Sequence, residues 1–285
     1  MNFKREMKIS KNALPYGAGL CLFLLNFGAP VLMSAADNAD ESINYQSPYS
    51  VKFSIPEEQL YQVDKVPPRE NPRLESDTPF EEWHSEQVHR KYGKWGPGQK
   101  KYPAPANYGQ LSAEWKRERV IAVALKNVGL SYQHHHIPEF KPREGKRGLD
   151  CSNFSSWAYN YGLGIKINSD VSKQADQSEV PGAGGEGTIA FTMIRDEHGY
   201  DELISKLKPA DLLYIRGKSG AVTHVIMWVG ELGVSPDHVP LVIDSTGPEH
   251  RDCQGNQIPG GIHLRPFPKN SWYYKSFDHA HRIIN

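Results

Sequence analysis

Of the three cysteines in this 285-residue chain, Cys151 stands in the setting best suited to a nucleophile. It follows Asp150, a good helix N-cap. Phe154, Trp157, Ala158 and Tyr161 then fall on one apolar stripe, ahead of Gly162. A thiol in the first turn of a helix meets unpaired N–H groups and the positive end of the helix dipole, and both favour the thiolate. Asp150 opposes this with a negative charge next door, so activation also requires a histidine, distant in sequence and near in space. His224 is the best candidate. It lies in residues 222–230, a run of high β propensity in which an ionisable side chain is costly unless paired. The next apolar run, residues 241–245, carries Asp244. On an antiparallel neighbour about 5 Å away, its carboxylate is suited to accept the second imidazole N–H and stabilise an imidazolium beside a thiolate. The plainer alternatives are a satisfied core histidine at 224 and a disulfide joining Cys151 to Cys253.

Positioning these groups requires particular elements. Ile121, Ala124, Leu125 and Val128 fall at i, i+3, i+4 and i+7, and Gly129 follows where a helix would stop. A second helix is expected over residues 151–161. Strands are expected over 211–216, 222–230 and 240–245, with a weaker one near 281–284. Helices first and strands afterwards predict an α+β domain, with helices packed on an antiparallel sheet that carries the His and the Asp. Residues 175–200 include Pro181 and a glycine run ending at Gly187. That run lacks the preceding strand and the Lys-Ser/Thr of a phosphate loop, so it reads as a flexible insertion.

The rest of the chain divides around this domain. Lys4, Arg5, Lys8 and Lys11 precede an apolar stretch from Ala18 to Met33, and Ser34-Ala35-Ala36 supplies small residues for cleavage after Ala36. Residues 1–36 therefore read as a secretory signal peptide and the protein as exported, periplasmic or secreted, an uncleaved anchor being the alternative. Leu20 stands where a lipoprotein signal before Cys21 would need a small residue. Beyond the N-terminus no apolar run is long enough to span a membrane. Residues 37–110 are rich in Pro, Glu, Lys, Asn and Tyr and read as an extended region draped over the main domain, on which Trp83, Trp95 and several tyrosines could dock. Lys+Arg and Asp+Glu number 33 each. Loss of residues 1–36 would remove four basic groups and Glu6, leaving a net charge of about −3. Neither balance suits a nucleic-acid partner held by counterion release.

Several ordered motifs resemble the NlpC family of papain-like cell-wall cysteine peptidases. Asp150-Cys151-Ser152 and its aromatic helix resemble the family's nucleophile motif, with Asn153 where Gly is usual. Gln174 resembles the Gln that closes the following segment. The run from Leu207 to Leu212 resembles a Leu-x-Pro-Gly-Asp-Leu stretch with Ala210 in place of Gly. Thr223-His224-Val225 with Trp228-Val229-Gly230 is similar to the histidine strand, Gly129 to Tyr132 to a Gly-x-x-Tyr signature, and Phe277 to Ile284 to the closing strand. The resemblance spans residues 111–285. It implies a papain-like fold without a cofactor, acting on the peptidoglycan stem peptide between γ-linked D-Glu and diaminopimelate or Lys. In that role Cys151 attacks the carbonyl, His224 shuttles the proton, Asp244 stands where the family most often has His, and the Cys151 N–H serves the oxyanion. Tyr132, Asp150 and Ser152 map to the groups that receive the peptide's free amine. A carboxylate beside the thiol makes better sense as an ammonium receptor than as an activator.

The sequence departs from the family in a longer stretch between Gln174 and Leu207, a longer hairpin between His224 and Asp244, and His134-His135-His136 in place of an aromatic and glycines. Consecutive histidines on an extended chain point to opposite faces, so no metal site is assigned to them and rim or substrate contacts are expected. Cys253, near His250 and Asp252, reads as an incidental thiol. Three other activities stay open at this stage: a wall-binding module without turnover, a metal-dependent hydrolase on His134–His136, and acyl transfer by the same Cys-His pair.

Overall fold

The structure, a computed structural model, describes residues 45–61, 99–132, 148–183, 186–248 and 250–285, with a few positions between 82 and 90. Residues 1–36, Trp83, Trp95 and His134–His136 lie outside the described residues. Strand β1 (Ser50–Val51) and helix α1 (Glu57–Tyr61) precede α2 (Ala113–Leu125). Ser112 caps α2 by accepting the Trp115 N–H, and Val120 to Ala124 are all fully buried. The middle of this helix is thus buried all round, packed against both α1 and the nucleophile helix. The helix ends at Leu125. Val128, expected on its stripe, lies beyond the end and is 42% exposed.

Short pairs surround the main sheet. Strand β2 (Ser131–Tyr132) runs parallel to β3 (Gly148–Leu149), just ahead of α3 (Cys151–Leu163) and α4 (Val171–Gln174). Strand β4 (Val180–Pro181) pairs with β5 (Thr188–Ile189), and β6 (Thr192–Ile194) precedes α5 (Tyr200–Lys206). Then come β7 (Leu212–Arg216), β8 (Val222–Trp228), β9 (Gly233–Val234), β10 (Leu241–Thr246), β11 (Gly261–Pro266), α6 (Trp272–Lys275) and β12 (Phe277–Arg282). Six of these strands make one sheet in the order β11-β10-β8-β7-β12-β6, with every neighbouring pair antiparallel. The α+β architecture with an antiparallel sheet is as the sequence predicts. Tyr214, Val225, Met227 and Ile243 pack toward α2 and α3, while Ile226, Trp228 and Val242 pack with Phe267 and Tyr273.

Two local expectations are corrected. Helix α3 runs through Gly162 to Leu163 and ends on Gly164, whose φ of 71° suits glycine; a Cβ there would lie 2.6 Å from the Ala104 nitrogen. The described part of the 175–200 segment is ordered into β4, β5 and β6, because Val180 is fully buried and β6 pairs with β12 at the sheet edge. Residues 261–266, for which the sequence reading named no strand, form β11, a buried strand at the edge of the sheet next to β10.

The described parts of residues 37–110 pack on this domain. Strand β1 pairs with β9, and Tyr49, Leu60 and Tyr102 are buried. Two buried charges on α2 hold the segment: Glu118 accepts the Ser54 and Ile55 N–H groups at 3.2 and 3.0 Å, and Arg119 donates to the Leu60 carbonyl at 2.8 Å. A second stretch runs along α3. Gln99 donates to the Asn153 carbonyl at 2.9 Å, and Asn160 bonds the Lys100 carbonyl and the Tyr102 N–H at 2.7 and 3.1 Å.

Candidate active site

Cys151 is the first residue of α3 and is 7% exposed. Asp150 caps the helix, and its Oδ1 accepts the Asn153 N–H at 2.9 Å, the Asn153 Nδ2–H at 2.8 Å and the Ser152 hydroxyl at 3.3 Å. Asn153, where the resemblance would have glycine, therefore reinforces the cap with its own amide. The Ser152 hydroxyl also donates to the Ser169 carbonyl at 2.6 Å. Gln174 clamps the same turn from α4, donating to the Ser152 carbonyl at 2.9 Å and accepting from Ser155 at 3.2 Å. Tyr132 lies opposite Leu149 in the β2–β3 pair, one residue before the cap. Burial, together with the charges of Cys151, Asp150 and Asp244, raises its phenol's pKa and keeps it a proton donor.

His224 comes from β8, opposite Ile215, and is 8% exposed. Its Nε2 lies 2.7 Å from Asp244 Oδ2, which leaves Nδ1 for the Cys151 thiol, a hydrogen-bond partner of the ring. Pairs Val242–Trp228 and Ile243–Met227 fix the β8–β10 register. Carried one residue on, it sets Asp244 opposite Ile226, so the carboxylate meets His224 diagonally on the same face. Burial of the imidazole would drive its proton off. The negative charge of Cys151, the Asp244 hydrogen bond and the Cys151 hydrogen bond outweigh it, and the His224 pKa is raised to about 10. A raised proton affinity on His224 beside the sulfur is what a thiolate–imidazolium pair requires.

Asp244 is 1% exposed. Burial would raise its pKa, but the Arg265 guanidinium, His224 and Tyr273 together hold it below the usual carboxylate range. Neither Arg265 nor Tyr273 was singled out from the sequence. Arg265 sits on an alternating strand, Ile262-His263-Leu264-Arg265, whose polar residues would ordinarily face water. Here both faces are buried and the Arg points at Asp244. Tyr273, in the four-residue helix α6, had no period to reveal it. Trp272 is 44% exposed, with its ring 6.2 Å from that of His224.

Both Cys151 and Cys253 are free thiols, the second one exposed. Among the described residues, no group of three or more His, Cys, Asp or Glu is arranged to hold a metal ion. Among the same residues, no helix is long and apolar enough to cross a membrane.

A thiol at a helix N-terminus, an imidazole on the sheet and a buried carboxylate behind it are the parts of a thiol–imidazole site on an α+β scaffold. Residues 139–235, the segment carrying Cys151 and His224, match the NlpC/P60 family, whose members are generally cell-wall cysteine peptidases. Asp244, Arg265 and Tyr273 lie beyond the matched residues. No curated protein matches the chain.

Proposed function

We propose that the protein is an exported, papain-like cysteine peptidase that hydrolyses peptidoglycan stem peptides at the bond from γ-D-Glu to diaminopimelate or Lys. The observation that carries this reading is the line Cys151–His224–Asp244, with Nε2 2.7 Å from the carboxylate and a His224 pKa raised to about 10. Cys151 Sγ attacks the amide carbonyl carbon, and the first-turn N–H of Cys151 receives the oxyanion. His224 delivers its proton to the departing amine as the C–N bond breaks, which leaves a thioester on Cys151. Water then adds to the thioester with its proton passing to His224, and collapse releases the carboxylate and restores the thiolate–imidazolium pair. Asp244 fixes the imidazole tautomer throughout. Tyr132 and Asp150 are suited to receive the stem peptide's free amine. The Ser152 hydroxyl lies against Asp150 and donates to the Ser169 carbonyl.

Mass spectrometry of purified muropeptides after digestion tests activity, bond and substrate together. New amine-terminated and γ-D-Glu-terminated products are expected, and they should disappear in Cys151→Ala and after treatment with iodoacetamide. Full activity in Cys151→Ala would overturn the reading. Products carrying an amine acceptor in place of water's oxygen would replace hydrolysis with acyl transfer.

A further inference from the structure

Asp244 is held by two groups besides His224. Its Oδ2 takes His224 Nε2 and the Tyr273 hydroxyl, each at 2.7 Å. Its Oδ1 lies 2.9 Å from Arg265 Nε, with the N–H out of line, so the contact is an ion pair rather than a good hydrogen bond. Arg265 is itself fixed, donating from Nη2 to the Pro259 and Gly261 carbonyls at 3.2 and 3.0 Å, and its side chain is wholly buried. Tyr273 has a second hold on the site. Its ring lies parallel to the His224 ring within 8° at 6.0 Å, and it also stacks with His250 at 4.5 Å. The positive and negative groups alternate in a row: Arg265, Asp244, His224, Cys151.

We infer that Tyr273 and Arg265 are positioning residues of the cysteine site, keeping the Asp244 carboxylate charged and aimed at His224 so that the imidazole retains its proton beside the sulfur. This rests on the Cys151–His224 chemistry proposed above. An aspartate in this place needs such support because its Oδ2 accepts from two donors and its charge is out of reach of water. The groups facing it are Arg265 and His263 from β11, His224 from β8, Tyr273 from α6, and Cys151 and Tyr132 from the nucleophile side. His263 is neutral there, its pKa lowered to about 4 chiefly by burial and by Arg265, so it adds no competing positive charge. Arg265 is the only cation among these neighbours that stays charged independently of pH.

The test is the pH profile of Cys151 alkylation by iodoacetamide in the full chain, read on the Cys151-containing peptide by mass spectrometry so that Cys21 and Cys253 do not contribute. In Tyr273→Phe, which keeps the stacked ring and loses only the hydroxyl, the acidic limb should move up by about one pH unit. Rates measured on that limb should then fall about tenfold, the worth of one hydrogen bond to a charged group. Arg265→Met should move the limb at least as far and Arg265→Lys less, since the lysine keeps the charge. With muropeptide, Tyr273→Phe should lower kcat with KM within about twofold, as expected for a group acting through His224 rather than on substrate. Superimposable alkylation profiles for the parent and Tyr273→Phe would overturn the inference, whether or not the Arg265 variants fold. A parent protein that shows the profile shift with Tyr273→Phe but releases no amine from muropeptide would instead overturn the functional reading alone.

Discussion

A carboxylate taken out of water is costly by several kcal/mol unless charges and donors replace its hydration. Around Asp244 those replacements also decide where the site's proton resides. The imidazole of His224 is buried, which by itself favours the neutral ring, yet the charge of Cys151 and the hydrogen bond to Asp244 turn the balance the other way. The sign follows: the folded pKa, about 10, lies above the ordinary 6.5, so stabilisation from this imidazolium is complete below pH 6.5 and lost as pH rises toward 10. NMR titration of the His224 ring should therefore show deprotonation near pH 10. In Asp244→Asn the same titration should move down by at least about one unit, because the amide keeps the shape and loses the charge. An unmoved midpoint would mean that the carboxylate does not hold the proton. Cys151, His224 and Asp244 were legible because each is an ionisable or nucleophilic side chain in a run otherwise suited to burial. Arg265 and Tyr273 were not, since alternation in β11 imitates a strand with a wet face and the four residues of α6 are too few to show a period.

At the scale of elements, the nucleophile helix is set from both ends. Asp150, Asn153 and Gln174 fix its first turn, and residues 99–105 lie along it as far as Gly164. The start of α3 was readable from Asp150 and the aromatic stripe, whereas its end was misread because Gly162 sits inside the helix and only Gly164 adopts the left-handed turn. The Pro-rich stretch gives no periodic signal, and its role emerges only from where its backbone bonds land. Gly164→Ala tests that docking. The substitution meets a positive φ, costing about 1–2 kcal/mol by itself, and places a methyl 2.6 Å from backbone at Ala104 that has no side-chain freedom to yield. Urea unfolding should show a loss of at least about 2 kcal/mol. Alkylation of Cys151 at neutral pH should accelerate as the segment over α3 loosens. Parent-like stability would show that residues 99–105 add nothing to the helix they cover.

At the scale of the whole molecule, three histidines besides His224 are buried among the described residues. His263, His279 and His281 are each buried on the strands at and beyond the site, and each has a lowered pKa led by the loss of hydration. His281 reaches about 3 and His263 about 4, the first packed by Phe191 and Tyr214 at 4.0 and 4.8 Å between ring centres. The unfolded chain takes up protons on these rings near pH 6.5 and the folded one does not, so stability rises with pH across that window and falls as pH drops from about 6.5 to 4. His224 works in the opposite direction only above pH 6.5, so the two effects do not cancel. Urea midpoints measured from pH 7.5 to 4 should begin to decline near pH 6.5, before carboxylates begin to protonate. His281→Phe keeps an aromatic ring against Phe191 and Tyr214 and removes one of the three titrations, so its midpoint should fall less over the same interval. A parent curve that stays flat to pH 4 would mean that these strands open to water around their histidines, and that the rigid sheet behind the cysteine site is not rigid in acid.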